Sequence, residues 1–297
     1  MLKNYFLTSL CFIFLSHSGY TSGVETLSAH AIREMQRFDF HRADSLTQIL
    51  ERHHPNHFLT HFTRANYNWW LIITHPSESK LERAYLSSLD NALEAIEKSS
   101  GSNMAGNKLF WFINIYAFKA RLDLMNHNFL KAIRHMDKCI GYINKSMGHE
   151  QKYPNLYLTS GLYNFLSAYG ALKYPFLRPY TIFYPKGDMD KGIQQLYAAT
   201  ENSNPVINTE AHYFLMRIYL DLKRDLPKAL YHADWLTLHY PENLIFIYHA
   251  HKIKKELLEN HRAEELKERY LYLLGRNNQL NPIQKRHLTE MITRSNN

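Results

Sequence analysis

Eighteen histidines give this chain its most visible capacity for chemistry. Two imidazoles four residues apart on a helix can hold zinc or copper from one face. His57 and His61 have that spacing, with His53 and His54 just upstream. Pro55 separates the two pairs, no acidic or sulfur ligand falls in step, and no His-Glu-x-x-His occurs. The expectation is solvated or capping histidines and no metal. A serine or cysteine nucleophile needs a strained turn and a partner base. Ser160-Gly161 lies in a helical pattern, Gly-x-Ser-x-Gly is absent, and Cys139 falls where helix packing calls for a small residue. The glycines never cluster as a phosphate loop requires. Two carboxylates in an aromatic-lined helical toroid would suit glycoside hydrolysis. Glu210 and Asp188 are the candidate acids, and Trp69, Trp70, Trp111 and Trp235 the candidate lining. Asp188 is better placed as a helix cap, and helix packing consumes aromatics by itself. The reading is therefore no enzyme and no cofactor, with a carbohydrate-active helical enzyme or glycan-binding protein as the alternative.

The elements that must position these residues are helices. Glycine (11) and proline (10) are scarce for 297 residues, which disfavours a turn-rich β fold. Apolar residues recur at helical spacing, as in Leu109, Phe112, Ile113, Tyr116, Ala120 and Leu124. Ser79 to Glu82 has the form of a capping box, and Asn281-Pro282 sets a capping residue before a first-turn proline. A capping helix over 281–294 follows from the second signal.

A repeat organises the helices. Ala43, Ala132, Ala229 and Ala263 each sit early in a second helix, where a small residue admits its neighbour. Three residues before them stand Phe40, Phe129 and Leu226, with Asn260 breaking the pattern. Pro55 and Pro241 close two of these helices at equal offsets of twelve, and the same offset backwards finds Ala31 and Ala120. Gly161 fills the like role in another pair; Leu27, Tyr116 and Tyr157 precede these positions by four, as Tyr213 and Ile247 precede the corresponding Arg217 and His251. Ala263 follows Ala229 by 34 residues, the period of tetratricopeptide (TPR) repeats. In these residues the chain resembles the TPR family. The resemblance implies an all-α, right-handed α-solenoid of helix hairpins over 23–297, with binding along a concave face of first helices. Arg217 and His251 depart from it, standing where a small residue belongs, and 57–99 fits only as a generic helix pair. An irregular helical bundle is the competing architecture.

In the TPR register Asn114, Arg121, Asn155, Leu158, Phe165 and Phe214 face the concave surface. Ala117 and Leu158 occupy the places where a carboxylate clamp has lysine, so capture of a free peptide C-terminus is not expected. Between Gly161 and Gly192 the spacing is 31 rather than 12, which makes room for an aromatic insertion at 174–187. Tyr174, Phe176, Arg178, Tyr180, Phe183 and Tyr184 are its candidate contacts. So long and apolar a loop calls for a binding or a structural role.

The N-terminus carries an address: Lys3, an apolar run from Tyr5 to Leu15, then small polar residues to Gly23. This reads as a signal peptide over 1–22 and an exported protein, periplasmic or extracellular. No stretch is long enough to span a bilayer. Cys139 is then the sole mature cysteine and no intramolecular disulfide forms. The net charge of +8 suits an anionic envelope surface. Mixed-sign runs such as Lys252 to Glu256 read as solvated faces, and no basic stripe with interleaved aromatics points to nucleic acid. The functional expectation is a protein-interaction scaffold of the cell envelope or extracellular space, with a protein or peptide partner.

Overall fold

The computed structural model describes residues 23–75, 79–99, 105–173 and 184–294. It is all-α, with thirteen α-helices and no strand among the described residues. These are α1 (Gly23–Gln36), α2 (Phe40–His53), α3 (Phe58–Thr74), α4 (Ser79–Lys98), α5 (Ala105–Met125), α6 (Phe129–Ser146) and α7 (Leu156–Lys173). After them come α8 (Met189–Thr200), α9 (Pro205–Arg217), α10 (Leu226–His239), α11 (Leu244–Glu256), α12 (Asn260–Arg276) and α13 (Pro282–Arg294). Each odd helix up to α11 packs chiefly on the even helix that follows it, and α13 covers α12. Odd helices also touch from pair to pair, α1 on α3, α5 on α7 and α7 on α9.

The turns inside four of the pairs share one design. Phe38, His127, Arg224 and Leu258 all have positive φ, between 57° and 64°, and each stands five residues before Ala43, Ala132, Ala229 or Ala263. A left-handed residue ends the first helix and turns the next carbonyls inward. The following residue, Asp39, Asn128, Asp225 or Glu259, is the N-cap of the second helix. Its carbonyl accepts the first bond, from the alanine amide, at 2.9 to 3.0 Å in all four. Its own amide donates back to Glu34, Asp123, Tyr219 or Lys254, and all four of these residues are buried. Three of them carry charges that the turn must satisfy. Glu34 pairs with Arg37 at 3.0 Å, Asp123 with His135 at 2.8 Å, and Lys254 with Glu259 at 3.5 Å. Lys254 is therefore buried in the last turn of α11, and not on the solvated face that the mixed charges of 252–256 suggest.

The four alanines are buried as the repeat requires. Helices α2 and α10 have 14 residues each and end just before Pro55 and Pro241. The two departures have local causes. Six residues after Arg217, Ile218–Lys223, form a π-helical turn. One residue more per turn shifts the register, so that fully buried Met216 stands at the helix contact. His251 is buried in the small-residue position because its Nδ1–H donates to the Ala263 carbonyl at 2.8 Å. At the fourth pair, α7 meets α8 through glycine. A Cβ on Gly192 would lie 2.5 Å from Phe165 N, and one on Gly161 would lie 2.9 Å from Leu196 Cγ.

Helix caps follow the sequence signals in part. Asn281 and Gln284 exchange reciprocal side-chain to amide bonds at 2.9 and 3.0 Å, a capping box at the start of α13. Ser79 makes no such box with Glu82, whose carboxylate instead accepts from Asn126 at the far end of α5.

The ends of the described chain meet. Ala31, Met35, Phe38 and Trp70 share one apolar cluster with Leu244, Tyr270, Leu274 and Leu288. Asn243 Nδ2 donates to the Gln36 carbonyl at 2.6 Å, and Gln284 Nε2 to Thr74 Oγ1 at 3.0 Å. The first bond sets the end of α1 on the start of α11, and α1 also touches α9, as α3 touches α13. The first helices consequently face a common interior. No helix is long and apolar enough to cross a membrane among the described residues.

Candidate functional site: a cavity lined by the first helices

That interior holds a cavity of about 1470 Å³, lined by α1, α3, α5, α6, α7, α9 and the turn before α9. It exceeds the roughly 300 to 1,000 Å³ of a drug-sized pocket. One wall is aromatic. Trp111 on α5 meets Phe62 at 4.9 Å, Phe110 at 5.1 Å and Phe58 at 5.6 Å, while Phe62 stacks on Phe118 at 5.4 Å. Such tilted contacts let ring edges meet ring faces and stiffen the wall.

Charge enters the cavity at a few points. Arg121 lies with its guanidinium 3.9 Å above the Trp69 ring, a cation held on an aromatic face. Glu210 on α9 also lines the cavity. Desolvation raises its pKa, while Arg121 and Gln36 pull in the opposite direction. Asp221 is engaged already, by Arg217 Nε at 2.5 Å. Arg33 on α1 lines the same space, with its Nε buried and unpartnered.

Of the residues expected on the concave face, Asn114, Arg121, Asn155, Leu158 and Phe214 line the cavity. Two are committed to the fold: Asn114 Nδ2 donates to the Phe110 carbonyl at 2.7 Å, and Asn155 Oδ1 accepts from Asn202 at 3.1 Å. Phe165 does not belong with them. It is fully buried, its backbone and Cβ pressed against Gly192 and its ring stacked on Tyr169 at 5.9 Å. The close glycine approach of α8 draws that face of α7 away from the cavity. Within the insertion, Tyr174, Phe176, Arg178, Tyr180 and Phe183 lie outside the described residues. Tyr184 lines the cavity and donates from its hydroxyl to Asp137 on α6. Tyr163 Oη donates to the Pro185 carbonyl at 2.7 Å, which anchors the return of the chain.

Arg33 and Phe118 were not singled out in the sequence, whereas Trp111 was, as candidate aromatic lining, and it does line the cavity. A signal was present, because Arg33 lies two residues, about 200°, around α1 from the packing residue Ala31. The candidate acids separate: Glu210 lines the cavity, whereas Asp188 caps α8, accepting from the amides of Asp190 and Lys191 at 2.9 and 3.0 Å. Among the candidate metal ligands, His57 caps α3 through Nδ1, which accepts from Leu59 N at 3.2 Å.

A second polar cluster sits between α9 and α10. His212 and His232 are buried, His212 stacks on Trp235 at 3.8 Å, and Trp235 on His239 at 3.9 Å. Burial lowers the pKa of His212 to about 3 and of His232 to about 4. Cys139 is buried too, its thiol pushed up to about 12 by desolvation and directed at the Ile113 carbonyl. A thiol so protonated is a packing group and not a nucleophile.

Comparison with known proteins gives no match to a family model, a curated protein or a solved structure.

Proposed function

We propose that this chain is a binding scaffold of TPR-like helix hairpins wound as an α-solenoid, and that a protein or peptide partner occupies its concave interior. The observation that carries the proposal is the cavity itself: about 1470 Å³, bounded by the first helices, with a rigid aromatic wall and few charges. Large apolar walls with sparse polar groups suit recognition by contact area, with the charges setting orientation. The four shared turns support a repeat architecture. The N-terminal address, outside the described residues, supports export to the periplasm or the extracellular space.

The test is capture of a partner from the envelope fraction, compared with a Phe214→Arg variant that blocks the cavity. Loss of the captured protein at an unchanged melting temperature supports the reading. Equal capture by both proteins overturns the cavity as the site. Residues 1–22 are tested separately, by the N-terminal residue of the protein recovered outside the cytoplasm.

Glu210 favours one second reading. A carboxyl whose pKa is raised by burial beside aromatic walls is what a glycan-cleaving acid requires. Release of reducing ends from envelope glycans, abolished by Glu210→Gln, would establish that enzyme instead.

A further inference from the structure

Helix α6 is covered on only part of its apolar surface. Ala132, Cys139, Ile143 and Ser146 are buried against the rest of the protein. At 3.6 residues per turn, Met136, Phe129, Ile133 and Leu130 follow on the adjoining arc. They remain exposed, Phe129 at 58%, Leu130 at 75% and Ile133 at 60%. Large apolar side chains grouped in this way on one helix mark a surface that meets something. The next arc carries Arg134, Lys138 and Lys131, all exposed and without an ion pair or side-chain hydrogen bond among the described residues. Asp137, the acidic residue of this helix, is engaged by Tyr184. The uncovered face is thus a band of apolar residues, interrupted by Asp137, beside a band of three cations, so that its charge is net positive. It continues onto the end of α5, where Leu124 and Met125 are exposed. The band also reaches the cavity, because Leu124, Met136 and Leu166 are exposed and line its mouth.

We propose that α6 and the adjoining end of α5 dock on an anionic lipid bilayer, with the mouth of the cavity against the lipid. The charge pattern selects this occupant. A helix lying in a bilayer interface buries Phe and Leu side chains among the acyl chains while Lys and Arg reach out to acidic headgroups. A second copy of this chain would bring Arg134, Lys138 and Lys131 against their own like charges or leave them unanswered. The inference stands on α6 and does not rest on what occupies the cavity.

The experiment uses the full chain with vesicles of phosphatidylcholine alone and with added phosphatidylglycerol. Sedimentation with the vesicles is expected to rise with phosphatidylglycerol and to fall with salt. Lys131→Glu/Arg134→Glu and Phe129→Ser/Leu130→Ser should each weaken it roughly tenfold or more, since each basic residue near an anionic surface contributes about fivefold. All four positions are exposed, so the melting temperature should hold. A local readout removes any contribution of the N-terminal apolar run: lipid should shield Lys131 and Lys138 from an amine-reactive reagent and leave Lys228 on α10 reactive. Equal binding to both vesicle types, unchanged labelling of Lys131 and Lys138, or a dimer in solution abolished by Phe129→Ser/Leu130→Ser would each overturn the proposal.

Discussion

The Nδ1 atoms of His212 and His232 face each other at 3.0 Å, one from α9 and one from α10. One ring must donate and the other accept. His232 Nε2 is buried with no partner, and an orphaned acceptor is more often tolerated than an orphaned N–H. His232 therefore donates from Nδ1, and His212 accepts while carrying its proton on Nε2. The bond requires an unprotonated acceptor and cannot survive two charged rings.

Acid should weaken the fold through this pair. The native pKa values, about 3 and about 4, lie below the ordinary 6.5, so the unfolded chain binds more protons throughout the interval between. Stability is full above pH 6.5 and declines as pH falls towards 4. Buried His249, lowered to about 3, adds to the slope. Melting temperature against pH checks this, and His212→Phe/His232→Phe should flatten the curve between pH 6.5 and 4. An equal slope in the variant would refute the assignment.

The glycine contact between α7 and α8 should tolerate no methyl group. Gly192→Ala places a carbon 2.5 Å from Phe165 N and 2.8 Å from the Gly161 carbonyl, atoms that cannot rotate away. A loss of about 1 to 3 kcal/mol is expected, as for Ala132→Leu at its buried contact. Exposed Arg286→Ala on α13 should stay within about 0.5 kcal/mol. Urea unfolding compares the three.

Leu258 offers the opposite sign. Its φ of 63° is costly for a branched L-residue, and its side chain is 80% exposed. Leu258→Gly should stabilise the protein by roughly 0.5 to 1 kcal/mol, because glycine adopts this conformation freely and little packing is lost. A decrease in the unfolding midpoint would mean that the side chain makes contacts worth more than the strain.

Arg121 links packing to charge in the cavity. Arg121→Met should cost about 1 kcal/mol by removing the cation from Trp69. It should also raise the Glu210 pKa further, since Arg121 is a force that lowers it. NMR titration of the Glu210 carboxyl in both proteins reads this directly, and a fall would contradict the placement of the two charges.

The helices and the packing alanines could be read from the sequence because their signals are local. An apolar stripe, a capping residue and a small residue lie within one or two turns of one another. Ala43, Ala132, Ala229, Pro55 and Pro241 show this. What escaped depends on geometry that residue type does not encode. Phe38, His127, Arg224 and Leu258 share a left-handed conformation, yet none is glycine. The π turn after Arg217 adds one residue to a helix and moves Met216 into the packing position with no proline or glycine to announce it. The cavity was legible in part: Asn114, Arg121, Asn155, Leu158 and Phe214 follow from the repeat register. Phe165 was misplaced because the approach of Gly192 rotates the burden of packing onto it. Arg33 lines the cavity where α1 meets α9, a contact between helices far apart in the chain that no local signal announces.

That meeting of the ends changes what kind of folding unit the chain is. An open row of helix pairs gains stability pair by pair, and its terminal pairs can fray or be trimmed while the rest persists. Here Asn243 holds the end of α1, and Gln284 holds the end of α3. Loss of α13 would uncover Trp70 and Tyr270 together, at opposite ends of the sequence. Unfolding of the first pairs and of the last should therefore be one cooperative event, reported equally by probes at either end. The slow step in folding should be the closure that joins them, since more than 200 residues separate the partners and loop-closure entropy must be met before their contacts form.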